Sequence, residues 1–284
     1  MINQQNKPMK KLLLFAAVLA LAACSNHTEV TPDVETVTIR FGGFDFQEEP
    51  LITRTDVDVA TIVTRLDMWF VAGDDVTEVH QSSADDGFGT VTLTLNKTKT
   101  YTVYAIAHKA NGAATLSDGV ISFPDEKVTH SFWYSGSFTP STTSELSCRM
   151  NRIVGMFRLE TTDVVLDEVT KFRFLIPQTC TRWAVTGAGA HPVDRVSDVT
   201  VGSRKPDGSA ACSIYIIGSA TQTTYDITVQ ALDANNTVVQ QRIIGGVPIR
   251  NNYKTNAVGA FFIDSQHAFS FVSADWETHA DIAF

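Results

Sequence analysis

"TVTLTLNKTKTYTVYAIAH", residues 90–108, is the stretch on which the fold class turns. Val91, Leu93 and Leu95 alternate with threonines, a polar "NKTK" follows, and Tyr101, Val103, Ala105 and Ala107 resume the same spacing. A period of two sends successive side chains to opposite faces of a strand, whereas a helix repeats near 3.6. The stretch is therefore read as two β-strands joined as a hairpin.

The same period runs on in both directions. Upstream, Val37, Ile39 and Phe41 alternate with Thr38 and Arg40; Gly42-Gly43 allow a bulge, and Phe44 and Phe46 resume the apolar face. Residues 61–71 alternate on two apolar faces, with Leu66, Met68 and Phe70 opposite Asp67 and Trp69. Downstream come "RIVGMFRLET" (152–161), "VTKFRFLIP" (169–177), "CSIYIIGS" (212–219), "TYDITVQAL" (224–232) and "VVQQRIIGG" (238–246). Asn111-Gly112, Asp118-Gly119 and Asp207-Gly208 mark turns, and no segment carries a long helical stripe. The pattern predicts an all-β chain of antiparallel sandwiches. A polar break, "SGSFTPSTTSE" (135–145), reads as a linker or a long surface loop. The boundary is placed near residue 147, giving domains 24–147 and 148–284 with cores expected to unfold separately or with weak coupling.

Residues 1–23 stand apart. "KKLLLFAAVLALAACSN" (10–26) has two lysines, a 12-residue apolar run and small residues before a cysteine. That run is too short for a membrane span, which needs about 20 residues, and it has the layout of a secretory signal. Leu21-Ala22-Ala23-Cys24 has the form of a lipobox, so Cys24 is the expected acylated N-terminus, anchored in the outer membrane. The whole chain carries −9, and losing Lys7, Lys10 and Lys11 brings the mature chain to about −12. That sign argues against nucleic acid and against direct adhesion to anionic lipid. Cys148, Cys180 and Cys212 are read as buried thiols or as one bridge with a thiol left over.

Chemistry is sparse. There is no G-x-S-x-G, H-E-x-x-H, Walker loop or S-x-x-K, and the seven histidines show no metal-ligand spacing. Neither an enzyme nor a cofactor or metal site is expected. His108 falls in an alternating strand and reads as a satisfied core histidine. Asp74-Asp75 and Asp85-Asp86 read as turn charges, with weak calcium binding as the alternative. Trp69, Trp133, Trp183 and Trp276 read as core residues or as a sugar-stacking platform. The C-terminal Phe269, Phe271, Ile282 and Phe284 are large and apolar where termini usually fray, so they need a groove on the chain's own sheet or on a neighbour.

The order of parts carries one further signal. After the lipobox come "VTIRFGGFDF" (37–46) and an arginine-bearing loop, "LITRTD" (51–56). Then follow "IVTRLDMWFVAGDDVTEVHQ" (62–81), "CRMNRIVGMFRLETTDV" (148–164), "GVPIRNNYKTNAVGAFF" (246–262) and the ending "FSFVSADWETHADIAF" (269–284). In this order they resemble the fimbrillins, the type V pilins and accessory subunits of Gram-negative surface fimbriae found in Bacteroidetes. The resemblance implies two tandem transthyretin-like Greek-key sandwiches in a structural or anchor lipoprotein of a fimbrium serving adhesion. It also implies strand exchange with other fimbrial subunits after an arginine-specific cut, for which Arg54 is the candidate. The exchanged strand would then carry Val37, Ile39, Phe41, Phe44 and Phe46, and the donor strand Phe269, Phe271, Ile282 and Phe284. Anchor-type members keep their first strand, so a permanent first strand stays open. The alternative is a surface glycan-binding lipoprotein in which exposed tryptophans hold sugar; a host or bacterial surface ligand fits either reading.

Overall fold

A computed structural model describes residues 33–42, 63–263 and 269–275. Cys24, Phe44, Phe46, Arg54, Trp276, Ile282 and Phe284 lie outside the described residues.

The first part of the chain supplies β1 (Val34–Gly42), β2 (Arg65–Ala72), β3 (Asp75–Ser82), β4 (Thr90–Asn96), β5 (Tyr101–His108), β6 (Thr115–Ser117), β7 (Val120–Ser122), β8 (Phe132–Phe138), β9 (Glu145–Arg149) and β10 (Asn151–Arg152). Two sheets, in the orders β4-β1-β9 and β10-β8-β5-β2-β3, face each other. Val37, Ile39, Phe41, Val91 and Leu95 from the smaller sheet meet Leu66, Met68, Phe70, Val103, Phe132 and Phe138 from the larger in one buried core. Alternation placed the side chains of β1, β2, β4 and β5 correctly, whereas Phe132 and Phe138 of β8 were not read from it. The expected hairpin of residues 90–108 does not form, because β4 and β5 lie in opposite sheets and the connection arches over the core. Period two orients side chains but says nothing of which strand is the hydrogen-bonding neighbour.

The second part supplies β11 (Val154–Thr161), β12 (Lys171–Ala184), β13 (Ala188–Thr200), β14 (Ala211–Ile217), β15 (Thr223–Leu232), β16 (Val238–Ile249), β17 (Tyr253–Gly259) and β18 (Ser270–Asp275). One sheet has the order β14-β11-β17-β18 and the other β16-β15-β12-β7-β6, with β13 also paired to β12. Phe157, Phe172, Phe174, Ile214, Val229 and Phe261 fill the core between them. β12 carries a bulge between Ile176 and Thr179, where Gln178 takes a positive φ of 49°.

Two features of this layout differ from the sequence expectation. The polar stretch 135–145 is not a linker: residues 135–138 complete β8, Pro140–Thr142 form a 3-10 turn, and Glu145 begins β9. Its serines face solvent on an otherwise paired strand, Ser135 opposite Tyr104 and Ser137 opposite Thr102. The boundary placed near 147 falls within β9, which lies beside β1 in the first core. In addition, the β6-β7 hairpin leaves the first part of the chain and joins the second sandwich, Ile121 standing opposite Trp183.

Candidate functional site

The sequence singled out the first and last strands, and β1 is the better defined. It runs antiparallel to β4, from Val34 opposite Asn96 to Arg40 opposite Thr90. It runs parallel to β9, from Thr38 opposite Glu145 to Gly42 opposite Arg149. Among the described residues β1 is thus the middle strand of its sheet, and β4 and β9 each border only β1 there. Val37, Ile39 and Phe41 are 0%, 0% and 3% exposed. At roughly 1.5–3 kcal/mol each, these three contribute about 5–9 kcal/mol, an upper bound comparable with the stability of a whole domain. Outward, Thr36 and Thr38 face Thr94 and Thr92, and Arg40 pairs with Glu145 at 2.9 Å. Those exposed contacts align the strand and contribute little energy.

The slot has a specific floor under Phe41. Its ring meets Tyr134 edge-on, with centroids 6.2 Å apart. Tyr134 hydrogen-bonds Cys148, which stands opposite Phe41 on β9. Burial pushes the Cys148 thiol up to about 11 and the Tyr134 hydroxyl up to about 12. Gly136 makes room, since a Cβ there would strike the Tyr134 hydroxyl. Cys148, Cys180 and Cys212 are all free thiols.

β18 is an edge strand. It pairs with β17 from Ser270 opposite Val258 to Asp275 opposite Tyr253. Phe269 packs half-buried on the second core, close over Gly259, while Phe271 is 38% exposed. The two candidate donor residues among the described ones therefore part company: Phe269 serves the chain's own core and Phe271 faces solvent. On the opposite edge of this sheet, β14, the Arg195 guanidinium donates to the Tyr215 carbonyl at 2.7 Å. Among the described residues no strand pairs with the outer side of β18, and such an edge is a template for a further strand.

Sequence reasoning missed one polar cluster. Asp67 is fully buried; His80 Nδ1 and His108 Nε2 each lie 2.8 Å from its carboxylate, and Ala114 N–H donates to it at 2.8 Å. His108 Nδ1 accepts from Ala110 N–H at 3.1 Å, which leaves its proton on Nε2, pointing at Asp67. The signal available was an aspartate inside an apolar strand, since a buried carboxylate must find donors. Cross-strand register supplies one of them, His80 standing opposite Asp67. Among the described residues no group of three or more His, Cys, Asp or Glu is placed to hold a metal ion.

Trp69, Trp133 and Trp183 are buried, at 0%, 7% and 3% exposure, in an apolar cluster between the two sandwiches. No sugar-stacking platform is made by these three.

No protein-family model matches the chain. No curated protein matches it either. Solved structures do share its fold. A candidate polysaccharide-binding protein from Bacteroides thetaiotaomicron is 11% identical at a TM-score of 0.55, the match covering 85% of this chain and 96% of that one. A candidate adhesin from the same organism is 12% identical at a TM-score of 0.52, covering 85% of this chain and 97% of that one. The fimbrial anchor protein Mfa2 from Porphyromonas gingivalis is 10% identical over 86% of this chain and 98% of its own, at a TM-score of 0.46. Likeness at these identities concerns the fold, and the third is too distant to carry an argument.

Proposed function

We propose that the chain is a structural or anchor subunit of a surface fimbrium serving adhesion, and that its β1 slot is where subunits join by strand exchange. The observation that carries this is the place of β1: among the described residues it is the sole partner of both β4 and β9 in its sheet, and it plugs the core with Val37, Ile39 and Phe41. A sheet that loses its middle strand cannot stay open, so a strand of the same pattern must replace it. The replacement has to run antiparallel to β4, with apolar groups at alternate positions and small polar groups between. The adhesin description of one Bacteroides protein that shares the fold agrees with this role. In this reading Cys24 carries the lipid that holds the mature protein at the outer membrane, and Arg54 is where a protease frees β1. The first strand and the C-terminal strand carrying Phe271 are the two halves of the joint. Polysaccharide binding, the description of the other Bacteroides protein, finds less support, because Trp69, Trp133 and Trp183, three of the four tryptophans expected to stack on sugar, are buried.

Cys148 offers the test. Cleave the folded protein with an arginine-specific protease, then alkylate at pH 8 and map the modified cysteines by mass. Departure of β1 returns the thiol from about 11 to its ordinary 9.0 and uncovers it, so alkylation of Cys148 should rise by about 100-fold or more. A synthetic peptide of residues 34–42 should restore protection, and the same peptide with Ile39→Asp should not. Continued protection of Cys148 after β1 is gone would defeat the slot reading.

A further inference from the structure

We propose that Asp163 and Arg242 form a clamp on Phe261–Ile263 that sets where the fixed part of the second sandwich ends and its separable last strand begins. This deepens the reading of β18 as a strand used between subunits and rests on it only for its biological use. Asp163 follows β11, where Thr161 Oγ1 donates to the Asp163 carbonyl at 3.2 Å and Thr162 N–H donates to Gly259 at 3.0 Å. Its side chain is turned inward, the residue being 7% exposed. Oδ1 accepts from Phe261 N–H at 2.9 Å, and Oδ2 accepts from Phe262 and Ile263 N–H at 2.6 and 2.8 Å. Consecutive amides converging on one carboxylate form an anion nest, here filled by the chain itself. Arg242, on β16, grips the same peptides from their carbonyl side: Nε donates to Phe261 and Nη2 to Ile263, each at 3.0 Å.

The three amides of this short segment and the carbonyls of Phe261 and Ile263 are therefore held by two side chains rather than by a neighbouring strand. Phe261 is fully buried and meets Phe172 edge-on, with centroids 5.3 Å apart. β18 is attached differently, through the β17 ladder and the half-buried Phe269. Stripping β18 from β17 breaks none of the bonds to Asp163 or Arg242. The clamp keeps the loss of the strand from reaching Phe261 and the core beneath it.

Asparagine tests the carboxylate specifically, because its NH₂ replaces one acceptor and would face amide donors. Hydrogen–deuterium exchange is followed on the full chain, comparing peptides over 261–263, 270–275 and 171–176. Residues 261–263 should exchange at least about 100-fold more slowly than 270–275, approaching the core rate. In Asp163→Asn they should come within about 10-fold of 270–275, with 171–176 unchanged. If that variant does not fold, Arg242→Gln gives the same comparison with a smaller rise. A chain ending at Ile263 should still melt cooperatively, whereas one ending at Val258 should not. Equal exchange of 261–263 and 270–275 in the unaltered chain would overturn the clamp, as would unchanged exchange in the folded variants. A polymerisation defect in chains lacking β18 bears on strand exchange alone, so the two ideas fail separately.

Discussion

His130 lies 3.0 Å from the Arg152 guanidinium and stacks on Tyr215, with centroids 5.6 Å apart. Burial, with Arg152 and Lys109 nearby, pushes its pKa down to about 3 from 6.5. The neutral ring accepts from Arg152 Nε, while another N–H of the guanidinium donates to Asn252. One arginine of the first sandwich is thereby joined to the β16–β17 turn of the second. The linkage follows from the direction of the shift. Below pH 6.5 the unfolded chain takes up a proton that the folded chain refuses until about pH 3, so stability falls as pH drops through that window and is unaffected above it. One proton accounts for at most about 1.4 kcal/mol per pH unit. Denaturant titrations at pH 7, 5.5 and 4 should show a shallower decline for His130→Gln, which retains an acceptor for Arg152 but has no proton to gain. Equal slopes in the two proteins would show that His130 titrates normally. At Gly136 the argument is steric. Gly136→Ala should displace Tyr134 from Phe41 and Cys148, and the measurable sign is faster alkylation of Cys148 in the uncleaved protein.

For the strands, the energetics depend on which face a residue occupies. Ile39→Ala removes a fully buried plug from the middle of its sheet and should cost about 2–5 kcal/mol. Thr36→Ala, on the solvent face of the same strand, should stay within about 0.5 kcal/mol. Chemical denaturation of the two variants separates the faces, and equal losses would mean that β1 is not the plug it is drawn as. This much of the site was legible in the sequence, because alternation states which side chains point inward. The partners of a strand were not. Residues 90–108 read as a hairpin, yet β4 and β5 sit in opposite sheets, since a short polar connection can arch over a core as well as turn in plane. The stretch 135–145 looked like a linker because Ser135 and Ser137 are polar on the solvent face and Gly136 is the space under Tyr134. Asp163 was hidden for another reason: its partners lie 98 to 100 residues away, and no local pattern marks a carboxylate that will be met by backbone amides.

Across the molecule, the deciding element is the β6-β7 hairpin, two strands of three residues each that no periodicity could reveal. It arises between β5 and β8 of the first sandwich and is hydrogen-bonded to β12 of the second. Around it Trp69, Ile106, Ile121, Phe123 and Trp133 from the first part meet Ile153, Val154, Trp183 and Ile217 in one apolar cluster. Arg182 reaches Glu126 at 2.7 Å on the rim of the same junction. The described residues from Asp33 onward accordingly belong to a single compact unit. Two cores sharing a paired strand and a buried tryptophan cluster cannot lose their contacts independently, so unfolding should be one transition rather than the two expected from a polar break near residue 147. Calorimetry of the chain from Asp33 onward should return a calorimetric enthalpy equal to the van't Hoff value. Replacing residues 114–122 with a short Gly-Ser turn removes the shared strand while sparing every pairing within the first two sheets, and should split the transition in two. A fragment of residues 148–284 lacks β7 and the side chains that cover Trp183, and should not fold cooperatively. A clean melt of that fragment, or two transitions in the intact chain, would mean that the hairpin merely decorates the junction. Under that outcome, force applied to the chain would open the sandwiches one at a time, whereas a shared paired strand should make them yield together.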